Sequence, residues 1–78
     1  MKYYVISDKE TVKHFSLIKV DGISVSSKEM ALDVFSKAIF NKEIGTILIS
    51  PFVEEMLGSK VEEQRNKGTF PVVVTMVQ

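Results

Sequence analysis

Residues 44–57, IGTILISPFVEEML, are the most informative stretch for the fold of this chain, because they predict a buried strand that leads directly into an amphipathic helix. Residues 46–50 are a short apolar run, rich in β-branched side chains and without polar alternation, which is typical of a central parallel strand covered on both faces. Ser50 then offers a hydroxyl to cap a helix, and Pro51 suits the first helical position. An apolar stripe of helical period follows at Phe52, Val53, Met56, Leu57 and Val61.

Two similar strand–helix units precede this stretch. Residues 3–7 and 23–25 are predicted strands, and each leads to a serine followed three residues later by a glutamate, Ser7–Glu10 and Ser26–Glu29. That spacing predicts a capping box at the start of a helix. The first helix is expected to bury Val12, Phe15 and Ile18. The second helix is expected to bury Met30, Ala31, Val34, Phe35, Ala38 and Ile39.

A third helix should end at residues 66–68, and residues 70–77 are predicted to form a fourth strand that begins with a proline. Strands that alternate with helices form parallel sheets with right-handed crossovers. We therefore predict one α/β domain over residues 1–78. Its small four-stranded parallel sheet has the order 2-1-3-4 and helices on both faces, a Rossmann-like or CheY-like fold.

Charge and composition restrict the possible partners. The chain has 10 basic and 10 acidic residues, so it lacks the basic surface that nucleic-acid binding needs, and we expect no nucleic-acid partner. Its sequence contains no cysteine, which suits a reducing compartment. No apolar run approaches the 18 residues or so of a membrane-spanning helix, so we expect no direct membrane insertion.

The carboxyl ends of the strands are where an α/β sheet would bind a ligand. This chain would place Ser7, Asp8, Ser50 and Pro51 there, with Thr75 or Met76 nearby. None of its four glycines lies in a phosphate-binding spacing. A phosphorelay receiver shares the predicted topology, but it needs clustered acids, and here Asp8 stands alone. Helix capping explains both Asp8 and Ser50.

Other catalytic or metal-binding patterns are absent from the sequence. His14 is the only histidine and falls on the outward side of the first helix, without a second ligand at a metal spacing. The acidic pairs Glu54–Glu55 and Glu62–Glu63 are expected on helix surfaces. We therefore predict no catalytic residue, metal or cofactor.

The last strand is apolar, is expected at an edge of the sheet, and is the best candidate for a binding surface. Exposed apolar edge strands are a liability unless something covers them, so either helices cover the strand or a partner docks there. Methionine and aromatic side chains are common anchors of such contacts. The predicted interface residues are Phe70, Val72, Val74, Met76, Val77, Phe52 and Met56.

Four stretches together resemble the F subunit of the V-type/A-type rotary ATPases. They are YYVISDKETVKHFSLIKVDGISV (residues 3–25), SSKEMALDVFSKAI (26–39), NKEIGTILISPFVEEM (41–56) and PVVVTM (71–76). The first contains a D-x-x-T-V-x-x-F-x-L pattern at Asp8, Thr11, Val12, Phe15 and Leu17. The third contains I-G-x-I-L-I-S at Ile44, Gly45, Ile47, Leu48, Ile49 and Ser50.

The resemblance implies a non-catalytic subunit of the central stalk. Such a subunit would bind the coiled-coil D subunit, near the C subunit and the A and B subunits of the catalytic head, and would couple ATP turnover to proton or sodium transport. It would be cytoplasmic and peripheral to the membrane, in the soluble V1/A1 sector. Family members commonly continue into a C-terminal helix, which we expect to be absent from this sequence.

Two other function classes stay open at this point. The chain could be a stand-alone receiver-like or small-ligand-binding domain, with Asp8 and Ser50 at its pocket. It could also be a small enzyme of an unrecognised type. Binding of a coiled-coil partner distinguishes the stalk protein from both, and binding of Mg²⁺ or nucleotide distinguishes the receiver-like domain.

Overall fold

The computed structural model describes residues 1–77, and within them the chain forms four strands and four helices. They are β1 (Lys2–Ser7), α1 (Lys9–Ser16), β2 (Asp21–Ser24), α2 (Lys28–Ala38), β3 (Ile44–Ile49), α3 (Pro51–Leu57), α4 (Ser59–Asn66) and β4 (Val72–Thr75). No helix in this part of the chain combines the length and the apolar character needed to cross a membrane.

All four strands are parallel, and their order is β2-β1-β3-β4, which confirms the predicted α/β sheet. The register aligns side chains in rows across the sheet. One row contains Tyr3, Thr46 and Val72, and the next contains Val5, Leu48 and Val74. Successive side chains of a strand point to opposite faces. The two rows therefore lie on the face of the sheet opposite Ile47 and Ile49.

Helices lie on both faces of the sheet, as predicted, but unequally. The step from β1 to β2 crosses the sheet in one direction, whereas the steps from β2 to β3 and from β3 to β4 cross it in the other. Right-handed crossovers therefore put α1 on one face and α2, α3 and α4 on the opposite face. The contacts agree, because α1 packs on β1 and β2, while α2 packs on α3.

The main hydrophobic core lies on the face with three helices. It contains the buried strand residues Ile6, Ile44, Ile47, Ile49 and Val73, and Val25 directly after β2. The helices contribute Ala31, Phe35, Ala38, Val53, Leu57 and Val61, and α1 contributes none. The predicted apolar stripe of α2 is confirmed except at Met30, which is 44% exposed.

The single helix predicted after the third strand is instead two helices. Gly58 adopts φ +59°, a backbone conformation that favours glycine, and it ends α3 with its N–H donating to the Glu54 carbonyl. The first helix also ends sooner than predicted, at Ser16. Ile18 therefore lies in the following turn and is 69% exposed, so its predicted burial was wrong. Val12 and Phe15, also predicted to be buried, are only partly buried.

Two helix caps lie one residue after the predicted serines. Asp8 accepts the Thr11 N–H at 3.1 Å, and Ser27 accepts the Met30 N–H at 3.1 Å. Asp8 and Ser27, rather than Ser7 and Ser26, therefore cap α1 and α2. In each case two adjacent residues are good capping types, and the turn of the backbone selects the second.

Candidate interaction surface

One half of the sheet face that carries α1 is not covered by a helix. Because α1 packs on β1 and β2, the side chains that β3 and β4 present on that face have no helix above them in residues 1–77. We call this surface the open half-face. It consists of Thr46, Leu48, Val72 and Val74 of these two strands, together with Tyr3, which lies beside Thr46 near the start of β1.

In the row of Val5, Leu48 and Val74, exposure increases from the strand that α1 covers towards the edge of the sheet. Val5 lies in the same row as Leu48 and Val74, on a strand that α1 covers, and it is fully buried. In that row Leu48 is partly buried and Val74 is 43% exposed. Val72 is 48% exposed and Tyr3 is 57% exposed. The surface is therefore apolar, carries no charged side chain and is accessible to a partner.

The structure places the predicted interface residues in three different settings. Val72 and Val74 belong to the open half-face, and Met76 follows them at the next alternate position, partly buried. Phe70 and Val77 flank β4 at its two ends and are 64% and 99% exposed.

The two predicted interface residues on α3 do not lie together with the valines of β4. Phe52 is 38% exposed at the start of α3. Met56 packs against the main core, on the face opposite α1. The structure thus brings together only part of the predicted surface.

Sequence reasoning does not identify Tyr3, Thr46 and Leu48 as parts of this surface. Tyr3 and Leu48 sit in apolar runs typical of buried strands, and their exposure depends on which strands each helix covers. The predicted strand order could have indicated this surface. In the order 2-1-3-4 one crossover runs in one direction and two run in the other, so right-handed crossovers leave one face of the sheet with a single helix.

The carboxyl ends of β1 and β3, where a ligand site was considered, differ in how their polar groups are bonded. At the end of β1, Asp8 Oδ1 accepts from the hydroxyls of Thr11 at 2.7 Å and Ser7 at 3.1 Å, and Asp8 Oδ2 accepts from the Thr11 N–H. The side-chain and backbone hydrogen bonds from Thr11 lower the pKa of Asp8 to about 2. Asp8 is thus an ionised helix cap whose two oxygens are both engaged.

Ser50, at the end of β3, lacks such bonds. It stands at the N-cap position of α3 but makes no side-chain cap, so the capping role predicted for its hydroxyl was wrong. Its side chain is fully buried, and the hydroxyl oxygen has no hydrogen-bond partner among residues 1–77. The predicted surface position of His14 is confirmed, since its side chain is exposed. Across the same residues, no three histidine, aspartate or glutamate side chains converge as a metal site.

This chain is similar to known proteins in its fold and in its sequence pattern. A crystal structure of the F subunit of the V-type ATP synthase from Archaeoglobus fulgidus matches with a TM-score of 0.83 and 16% sequence identity, covering 97% of this chain and 96% of that chain. At this identity the likeness shows the fold alone. None of the curated proteins matches the chain in sequence. The family model of the ATP synthase (F/14-kDa) subunit matches residues 4–78, nearly the whole chain. The chain therefore belongs to the ATP synthase (F/14-kDa) subunit family.

Proposed function

We propose that this chain is a non-catalytic subunit of the central stalk of a V-type/A-type ATPase or ATP synthase. It binds the coiled-coil D subunit, near the C subunit and the A and B subunits, and takes part in coupling ATP turnover to proton or sodium transport. It works on the cytoplasmic side, peripheral to the membrane. Family membership supports its place in an ATP synthase complex. The D subunit as the partner is what the resemblance to the F subunit implies, and the open half-face supplies a surface for that contact.

The open half-face is the observation that carries this proposal. Two adjacent parallel strands are about 5 Å apart, and a helix with its side chains is about 10 Å across, so the uncovered strands β3 and β4 offer the width of one helix. The surface bears valine, leucine, threonine and tyrosine side chains and no charge. It therefore suits the apolar stripe of a helix in a coiled coil.

The exposed valines give the contact its energy. Val72 and Val74 are each about half exposed, so covering them gains on the order of 1 kcal/mol per valine. Tyr3 adds an aromatic side chain of the kind enriched at binding hot spots. Phe70, Met76 and Val77 are exposed or partly buried and lie at the margin of the contact.

The test is complex formation between this chain and the D subunit of the same organism, measured by size exclusion with light scattering. The wild type is expected to form a one-to-one complex. Val74→Lys should weaken binding at least about tenfold while lowering the free energy of unfolding by less than about 1 kcal/mol, because the lysine stem can lie where the valine was with its ammonium in water.

Met30→Lys is the matched control for this substitution. Met30 is 44% exposed, against 43% for Val74, but it lies on α2, on the opposite side of the sheet. Met30→Lys should bind the D subunit like the wild type. Equal binding by all three proteins would overturn the proposed footprint. No binding by the wild type, together with binding of Mg²⁺ or a nucleotide near Asp8 and Ser50, would favour the receiver-like or small-ligand-binding alternative.

A further inference from the structure

Two side chains of α4 bond outward carbonyl groups at the free edge of β4. The Met76 N–H donates to the Ile49 carbonyl at 2.7 Å, so the backbone groups of the even-numbered residues of this segment face β3. The groups of Pro71, Val73 and Thr75 consequently face away from the sheet, because neighbouring residues of a strand direct their backbone groups to opposite sides. Gln64 Nε2 donates to the Pro71 carbonyl at 3.0 Å, and Arg65 Nε donates to the Val73 carbonyl at 3.2 Å.

Arg65 reaches further along this edge than Gln64 does. Besides the Val73 carbonyl, its Nη2 donates to the Thr75 hydroxyl at 3.0 Å. Its Nη1 lies 3.3 Å from a carboxylate oxygen of Glu54 and 3.2 Å from one of Glu62. The planar fork of the guanidinium makes several directed hydrogen bonds at once, which a lysine ammonium cannot reproduce with the same geometry.

We propose that Arg65 determines how β4 can be bound: it closes the edge to strand addition and leaves the open half-face as the surface for docking. Strand addition needs the outward N–H and C=O groups of an edge strand. Pro71 has no N–H, its carbonyl is bound by Gln64, and the Val73 carbonyl is bound by Arg65. The role of the open half-face rests on the proposed function, whereas the closing of the edge does not.

The composition of β4 would favour pairing with another strand if its edge were unprotected. Val72–Thr75 is VVVT, four β-branched residues of high strand propensity at the edge of a sheet. Such an edge pairs readily with another strand, and a second copy of this chain presents the same one. Natural proteins protect edges of this kind with charged side chains. Arg65 acts here from the neighbouring helix and needs no charge within the strand itself.

Self-association of Arg65→Ala, measured by sedimentation velocity from low to high micromolar concentration, tests the proposal. The wild type should remain monomeric across this range. Arg65→Ala should form dimers or larger species at concentrations at least about tenfold below the highest concentration measured. Lys67→Ala is the matched control, because it removes one positive charge from the same end of α4, where Lys67 is exposed. It should behave like the wild type.

A folded Arg65→Ala protein that stays monomeric across the whole range would overturn the proposal. If Arg65→Ala does not fold, Arg65→Lys serves instead, since it keeps the positive charge beside Glu54 and Glu62. Self-association of folded Arg65→Lys would support the proposal, and a monomer would overturn it. Binding of the D subunit by Val74→Lys is a separate measurement, so failure of the edge closure and failure of the stalk function remain distinguishable.

Discussion

Replacing Ser50 by alanine is expected to stabilise this protein, although the residue is fully buried and stands at a helix N-cap. The Ser50 hydroxyl has no hydrogen-bond partner among residues 1–77 and makes no cap to α3. An unpaired buried hydroxyl costs about 1–3 kcal/mol, and the change to alanine removes that cost. Loss of an N-cap serine costs about 1 kcal/mol only where its hydroxyl makes the cap. We therefore expect a gain of about 1 kcal/mol in the free energy of unfolding.

Ser7→Ala is the matched control. Ser7 is also fully buried and stands at the end of the adjacent strand β1, but its hydroxyl donates to Asp8 at 3.1 Å. Its loss should cost about 1.5–3 kcal/mol, since one hydrogen bond to an ionised carboxylate disappears. In thermal unfolding of a domain this small, about 1 kcal/mol changes Tm by about 4–8 °C. The two variants should therefore shift Tm in opposite directions. A drop in Tm for Ser50→Ala as large as that for Ser7→Ala would instead show that the Ser50 hydroxyl is hydrogen-bonded.

Two further predictions concern β2 and the cap of α1. Gly22→Ala should lower the free energy of unfolding by about 1–3 kcal/mol in urea denaturation, because the added Cβ would lie 2.7 Å from the Val5 carbonyl oxygen and 3.0 Å from the Val5 Cβ; an unchanged midpoint would show that β2 moves away at little cost. The pKa of Asp8 is lowered to about 2 in the folded state, from an ordinary value of about 4. The contribution of Asp8 to the free energy of unfolding should therefore be complete above pH of about 4 and should be lost as the pH falls towards 2. Asp8→Asn keeps a capping side chain without the titration, and the difference between the unfolding free energies of the two proteins should therefore change across this pH range; a constant difference would contradict the bonding of Asp8.

Most of the sheet could be predicted from the sequence. The hydrophobic period is a local property of each segment, and the topology follows from the crossover rule. The apolar run at residues 46–50 and the helical stripe after Pro51 identify a β–α unit, and the crossover rule then gives the parallel order. The details that sequence reasoning misses depend on backbone geometry. Gly58 sits within an apolar pattern that continues to Val61, and the pattern does not show that the backbone turns left-handed there.

The candidate surface could be predicted only in part, and the reason lies in distances that sequence spacing does not give. Val72 and Val74 follow from the apolar character of β4, which the strand displays directly. The polar residues around Arg65 predict only a solvated turn. The contacts of Arg65 with Val73 and Thr75 cannot be predicted from the sequence, because they depend on how α4 is rotated against the sheet. Composition alone groups Met56 with the surface, and the rotation of α3 places it against the core instead.

Amide hydrogen exchange of this chain, alone and with the D subunit of the same organism, distinguishes docking on the open half-face from docking elsewhere on the domain. Added protection should be concentrated in β3 and β4, while the outer surface of α2 around Met30 should exchange as before. Protection confined to α2, α3 or α4, with β4 unchanged, would contradict the claim that the D subunit docks on the open half-face.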